Sequence, residues 1–436
     1  MTGRVHLLHG VLAAAMIAAF APATAQANED HGRGGKGDAS IQLGQRPFYL
    51  IDGMDDGPLK SRLMQCRQTP ASRTDFAIAH RGAALQFPEH TKESYEAGAR
   101  QGAGIVECDV TFTRDGKFVC RHAENDLHTT TNILASPLAT TCARPFTPAV
   151  IDANGTVVTP ASAECRTSAI TGDEFKTLRG KMDAFNPAAR TVDQYLGGTA
   201  NWRTDLYTGR GTLVTFRESI ELNRKLGVKH TPELKGGDAA TIAAVFGSQR
   251  NYALRFADEL RTAGVKPRDV WPQSFNVEDV LVWIDETEYG RQAVYLLDYN
   301  ATDPVNDIVI QPPFDQMSRA EYFGMLKKRG VRIVAPPMPA LLAVDAAGRI
   351  VPSQLAKDLK GWGFDIITWT FERSDLRKGA SKAGYYYDFD AQGRAIMKDS
   401  DMYKALDVLA REVKVLGIFS DWPATVTYYA NCMGLK

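Results

Sequence analysis

Past its first residues the chain has no apolar run that approaches the about 20 residues needed to cross a bilayer. No membrane span is therefore expected of the mature protein. Net charge is missing too, with 51 Lys and Arg against 51 Asp and Glu. Without a strongly basic segment the chain has nothing to neutralise a nucleic-acid backbone, so no nucleic acid is an expected partner, although a local anion site fits a neutral protein. Cys-x-x-Cys pairs are absent, which removes a zinc ribbon and a thioredoxin-like redox centre. What is present is a 436-residue composition, 44% hydrophobic and 23% charged. It suits a large core, in one large barrel or two domains, and neither a disordered nor a collagen-like chain.

Residues 1–27 read differently from the rest. Arg4 is their only charge, Val11 to Ala21 is apolar, and Ala25-Gln26-Ala27 is a small-residue cleavage pattern before polar Asn28. This is the pattern of a cleaved secretory signal peptide, and the apolar run is too short for a membrane anchor. A secreted, periplasmic protein is expected. Residues 28–46, rich in Gly and charge, read as a flexible leader, and 47–73 as an N-terminal extension.

From there short apolar runs alternate with amphipathic stretches. The strand candidates are 76–79, 105–110, 119–120, 228–234, 270–275, 293–297, 332–335, 364–370 and 416–420. Helix candidates lie between several of them at 91–101, 216–226, 239–263, 318–329, 353–362 and 403–415. Strands alternating with helices imply a parallel sheet. With the 119–120 segment counted as a return arm, eight core strands remain, the number of an α/β (β/α)8 TIM barrel, here over residues 74–430. One interval, about 125–212, breaks the alternation. Turn formers, Thr and cysteines dominate it, and we read it as a loop-rich subdomain inserted over the strand ends.

The chemistry concentrates near the start of this repeat. Ala79-His80-Arg81-Gly82 is followed by Glu107-Cys108-Asp109 and then Arg121-His122. If 106–112 and 117–123 are strands joined at Asp115-Gly116, a two-residue turn sets Arg114 opposite Lys117 and Asp109 opposite His122. Side chains alternate along a strand, so Glu107, Asp109 and His122 then share one face. The same register argues against a Cys108–Cys120 bridge, because those two side chains would point to opposite faces. All six cysteines (66, 108, 120, 142, 165 and 432) follow the signal segment, and an oxidising compartment permits disulfides. Cys142 with Cys165 is the pairing expected, since a crosslink in that loop-rich stretch limits its entropy most.

Together His80-Arg81-Gly82, Pro88-Glu89-His90-Thr91, Glu107-x-Asp109, Thr113 to Gly116 and Arg121-His122 resemble the glycerophosphodiester phosphodiesterase family, in its exported, long-insertion form. Pro232-Glu233-Leu234-Lys235, Gln273-Ser274-Phe275, Trp369-Thr370 and Ser420-Asp421-Trp422-Pro423 look like its later strand-end motifs, in order. The resemblance spans roughly residues 74 to 427. It implies a TIM barrel, one divalent cation and hydrolysis of glycerophosphodiesters to sn-glycerol 3-phosphate and an alcohol. Carried over residue by residue, it makes Glu107, Asp109 and Glu233 the metal ligands and His80 and His122 the acid–base pair. Arg81 and Lys235 would neutralise the phosphate, and Gln273, Phe275 and Trp369 would line the substrate pocket. Two departures stand out: Glu372 follows Phe371 where an Asn is usual, an extra charge on the alcohol side, and Ser420 and Trp422 replace a common Thr and Tyr or Phe.

The physical chemistry agrees with these roles. A phosphodiester repels nucleophiles, so its cleavage needs cations at the nonbridging oxygens, a base for the attacking oxygen and an acid for the leaving one. Carboxylate oxygens prefer a hard cation, Ca2+ ahead of Mg2+ in our reading, over zinc. The mechanism implied by the resemblance is attack by the glycerol 2-hydroxyl to give a cyclic phosphate, which water then opens. Either histidine can begin as the base, since an unperturbed imidazole titrates at about 6.5. Glu89 and His90 are read as opening a helix, with the carboxylate complementing its dipole. Two other classes stay open: a related barrel that releases headgroups from lysophospholipids or sphingolipids, and a non-catalytic phosphate-ester-binding envelope protein.

Overall fold

The computed structural model describes residues 41–300 and 308–436. The signal segment 1–27 and most of the leader 28–46 lie outside the described residues. Eight parallel strands carry the fold: β1 Thr74–Ala79, β2 Ala103–Phe112, β3 Lys229–Leu234, β4 Gln273–Ser274, β5 Val294–Leu296, β6 Ile333–Ala335, β7 Asp365–Phe371 and β8 Gly417–Ser420. Neighbours pair in chain order, and β1 pairs with both β2 and β8 (Ile78 with Ile105 and with Phe419), so the sheet closes as a (β/α)8 TIM barrel. Most of the strands are apolar because both of their faces are covered, while β3 and β4 carry polar residues. All ten residues of β2 are buried.

Inside the barrel a small cluster, Ile78, Ile105, Val294, Leu296, Ile333, Ala335, Ile367 and Phe419, fills the interior. A much larger core lies between strands and helices. Several helices begin where a side chain caps them. Thr91 accepts from the Ser94 amide ahead of Lys92–Arg100, and Thr215 with Glu218 closes a capping box ahead of Phe216–Leu226. The stretch expected as one helix over 239–263 is two, Ala239–Phe246 and Gln249–Thr262. Gly247 takes a positive φ of 84° and Ser248 caps the next helix, so the backbone breaks there.

A second correction concerns the hairpin after β2. The return strand is Phe118–Cys120, and Val110 faces Cys120. The loop has three residues, not two: the Gly116 amide donates to the Thr113 carbonyl, the Thr113 amide donates to the Lys117 carbonyl, and Gly116 sits at φ 72°. That one-residue slip moves Cys108 onto the face of Cys120, and the two form a disulfide. Asp109 lies opposite Arg121 rather than His122, its carbonyl accepting from the Arg121 amide at 2.8 Å. Cys142 is bonded to Cys165 as expected. Cys66 is bonded to Cys432, joining the helix Pro58–Gln65 to the C-terminal helix Ala424–Met433.

Residues 125–212 form short helices, 3-10 turns and two-stranded ladders. They carry an apolar cluster of their own, in which Leu127, Ile133, Phe175, Tyr195 and the Cys165 half-cystine are buried.

Candidate active site

Along β2 alternate side chains enter the barrel, so Glu107 and Asp109 project together. Register carries the same face to the next strands: Glu233 on β3 lies beside Asp109, and Gln273 on β4 lies beside Glu233. Glu107, Asp109 and Glu233 each offer an oxygen, and these lie within 4.8 Å of one another, all buried. Burial, then repulsion from Asp109 and Glu233, raises the Glu107 carboxyl well above its ordinary range. Burial also pushes Glu233 up to about 7, against the pull of Lys235. At Asp109 burial is outweighed by Lys235, His90 and Arg81, which hold it ionised. Asp109 Oδ1 and Gln273 Oε1 are buried acceptors with no hydrogen-bond partner. Three crowded carboxylates and unmet oxygen acceptors fit a hard divalent cation, which relieves both the repulsion and the missing bonds.

The strand ends around this cluster open into a cavity of about 530 Å3. His80, Arg81, Glu107, His122, Glu233, Lys235, Gln273, Phe275 and Trp369 line it, and Asp109 lies buried beside them. The structure thus brings together every residue that the sequence reading singled out for the site. Arg81 stands at a positive φ of 55°, its backbone N–H donating to Glu107 at 3.0 Å and its Nη1 to Glu89 at 2.9 Å. The close turn requires Gly82, at φ 95°, where a Cβ would lie 2.3 Å from Ser94 Oγ. Lys235 Nζ is 2.6 Å from Glu233 Oε1.

The two imidazoles are held differently. His80 Nδ1 donates to Asp421 at 2.9 Å, which leaves Nε2 unprotonated, 3.4 Å from Thr370 Oγ1 and 3.7 Å from Glu107. Burial pushes His80 down to about 4, against the raising effect of Asp421. His122 lies two residues past the return strand, so strand alternation no longer fixes it, yet it faces the same cavity. Burial, with Arg81 and Lys235 adding to it, holds its pKa well below the ordinary imidazole value. Both shifts favour the neutral ring, and an anion bound beside either imidazole would raise it again.

Several residues escaped the sequence reading. Glu89 is no dipole partner: the helix begins at Lys92, and Glu89 is buried in an ion pair with Arg81. His90 Nε2 donates to Asp109 at 2.9 Å, with Tyr95 on its Nδ1. Asp421, in the Ser420-Asp421-Trp422-Pro423 motif, accepts from His80. Arg373, just past β7, pairs with Asp421, and its one available signal was a charge following a barrel strand. Asp183 and Phe185 reach the cavity from the 125–212 interval, which carries no readable period. Glu372 is absent from the cavity wall. It is fully buried and bonded to Arg46, Ser420 and Thr425, so its charge does not bear on the alcohol side.

The sequence profile of the glycerophosphoryl diester phosphodiesterase family matches residues 80–425. Among curated proteins, an Arthroderma benhamiae protein named "Extracellular protein" is 39% identical over 257 residues, 58% of this chain and 100% of that one. A Bacillus subtilis glycerophosphodiester phosphodiesterase is 46% identical over 57 residues, 13% of this chain and 19% of that protein. A crystal structure of a Silicibacter pomeroyi protein matches with a TM-score of 0.51 at 18% identity, covering 86% of this chain and 99% of that one, which is a likeness of fold.

Proposed function

This chain belongs to the glycerophosphoryl diester phosphodiesterase family and hydrolyses glycerophosphodiesters, and from that premise we propose how its residues do so. Glu107, Asp109 and Glu233 would hold one divalent cation, Ca2+ before Mg2+, whose charge offsets the negative phosphoryl oxygens. Arg81 and Lys235 bind the phosphate from the other sides, and Gln273, Phe275 and Trp369 shape the substrate pocket. One neutral imidazole, of His80 or His122, takes the proton of the glycerol 2-hydroxyl as that oxygen bonds to phosphorus. The P–O bond to the alcohol breaks, and the other histidine, as imidazolium, protonates the departing oxygen. Glycerol 1,2-cyclic phosphate results. Water then opens the ring with the roles reversed, giving sn-glycerol 3-phosphate. The observation that carries this reading is the convergence of three buried carboxylates and two imidazoles on one cavity.

We also propose that the protein is exported, after cleavage of residues 1–27, to the periplasm. The name of the Arthroderma relative and the three disulfides, as expected in an oxidising compartment, support this. In the same reading residues 47–73 are an N-terminal extension and 125–212 an insertion into the 74–430 barrel. Because the chemistry acts on the glycerol side, choline, ethanolamine and inositol diesters should turn over at comparable rates; strict selection of one would sink that point. The test of the mechanism is phosphorus NMR of glycerophosphocholine turnover. Passage through the cyclic phosphate, and loss of turnover in both His80→Ala and His122→Ala, is the expected result. Full turnover in either variant would overturn the histidine assignment.

A further inference from the structure

Asp421, which accepts from His80 Nδ1, is itself gripped by Arg373. The guanidinium is bidentate, Nε to Oδ2 and Nη2 to Oδ1, both at 3.0 Å. Oδ1 therefore serves two donors, His80 and Arg373, and a shift of one is felt by the other. The far edge of the same guanidinium reaches another part of the chain, Nη1 donating to Asp183 Oδ2 at 3.3 Å. A planar fork held at one edge can pivot; held at both edges, its plane is fixed. The side chains are largely withdrawn from solvent, Arg373 at 19% exposure, Asp183 at 17% and Asp421 at 0%. Screening of the pairs is accordingly weak.

Asp183 does not need Arg373 to stay in place. Arg203 Nη2 donates to Asp183 Oδ1 at 2.5 Å and to the Ala84 carbonyl at 2.6 Å, which already ties this stretch to the loop after β1. Lys181, also buried, donates to the Thr129, Met182 and Ala184 carbonyls and holds the backbone on either side of Asp183. The contact to Arg373 is thus surplus to anchoring, and it points toward the reacting histidine. We propose that Asp183, carried by the 125–212 stretch, is a positioning residue. Through Arg373 and Asp421 it fixes the ring of His80, so that Nε2 faces the substrate. The inference rests on the assignment of His80 as an acid–base residue.

Steady-state kinetics of the metal-loaded full chain on glycerophosphocholine, for wild type, His80→Ala, Asp183→Asn and Arg203→Gln, separates the cases. Positioning predicts that Asp183→Asn loses kcat by about 10-fold, the usual cost of losing an outer hydrogen-bonding partner. Its KM should stay within about 2-fold, since no contact to substrate is removed. The downfield proton resonance of His80 Nδ1–H should move in the same variant. Arg203→Gln removes one anchor while Lys181 still holds the backbone on either side of Asp183, so kcat should stay within about 2-fold. If Asp183→Asn does not fold, Arg373→Lys supplies the same reading, because it keeps the charge and loses the two-edged fork. Wild-type kcat with an unmoved Nδ1–H resonance, or an equal loss of kcat in Arg203→Gln, would overturn the proposal and leave Asp183 a structural anchor. Retained turnover in His80→Ala would instead overturn the mechanism on which it rests.

Discussion

The cavity has two unlike walls. One is built on strands: Glu107 and Asp109 on β2, Glu233 on β3 and Gln273 on β4 stand in consecutive register, their positions set by backbone ladders. The other is built on loops, where Asp183 and Phe185 come from the 125–212 stretch and Arg373 from the turn after β7. On the strand wall a side chain's aim follows from the pleat. On the loop wall it follows from ion pairs such as Arg373 with Asp421 and Asp183. The comparison teaches a division of labour. The carboxylates proposed to hold the cation sit where the backbone is least free, and the groups proposed to align or enclose sit where the chain can vary.

Breaking the strand wall should do most damage. Glu233→Gln should cut turnover by about 1,000-fold, comparable to losing an electrostatic stabiliser of the transition state. Titration calorimetry should show weaker cation binding by the same variant. Asp421 stands between the walls. Asp421→Asn removes the acceptor that fixes the His80 tautomer, and a fall of about 100-fold in kcat is expected, with KM little changed. A smaller effect belongs to the loop wall itself. Phe185, 38% exposed at the mouth, should on conversion to Ala raise KM several-fold, about 1 kcal/mol, and leave kcat intact. A drop in kcat instead of a rise in KM would blur the division.

The smallest effect is one of stability. Asp126, which opens the 125–212 stretch, has its carboxyl pushed up by burial from an ordinary 3.8 to about 6, despite Arg121. A group with a raised folded-state pKa binds protons more tightly when folded. Its favourable contribution is present below about 3.8 and is lost as pH rises through about 6. Thermal denaturation of Asp126→Asn should lack that decline between pH 4 and pH 6, relative to wild type. An identical pH dependence in the two proteins would show that Asp126 titrates normally.

The same contrast governs what the sequence reveals. Buried parallel strands announce themselves as apolar runs, so all eight barrel strands are legible, and the ten residues expected at the site lie at one cavity or buried beside it. Turn length was harder. Asp115-Gly116 fits both a two-residue turn and a three-residue loop with glycine in the left-handed region. The choice inverts strand alternation, and with it the pairing of Cys108 and Cys120. His122 reached the cavity despite the wrong register, because the ladder ends before it. Asp183 and Arg373 had no such guide, for their positions come from long-range ion pairs that leave no period. The C-terminal helix Ala424–Met433 is buried on nearly every side, so it shows no polar face to mark it.

The central claim is that the strand wall holds a divalent cation needed for glycerophosphodiester hydrolysis. Its most direct test is glycerol 3-phosphate release from glycerophosphocholine by the purified protein after chelation, and again after calcium or magnesium is restored. Release should vanish on chelation and return with the cation, Ca2+ ahead of Mg2+, in wild type but not in Glu233→Gln. Full activity in the thoroughly chelated protein would contradict it.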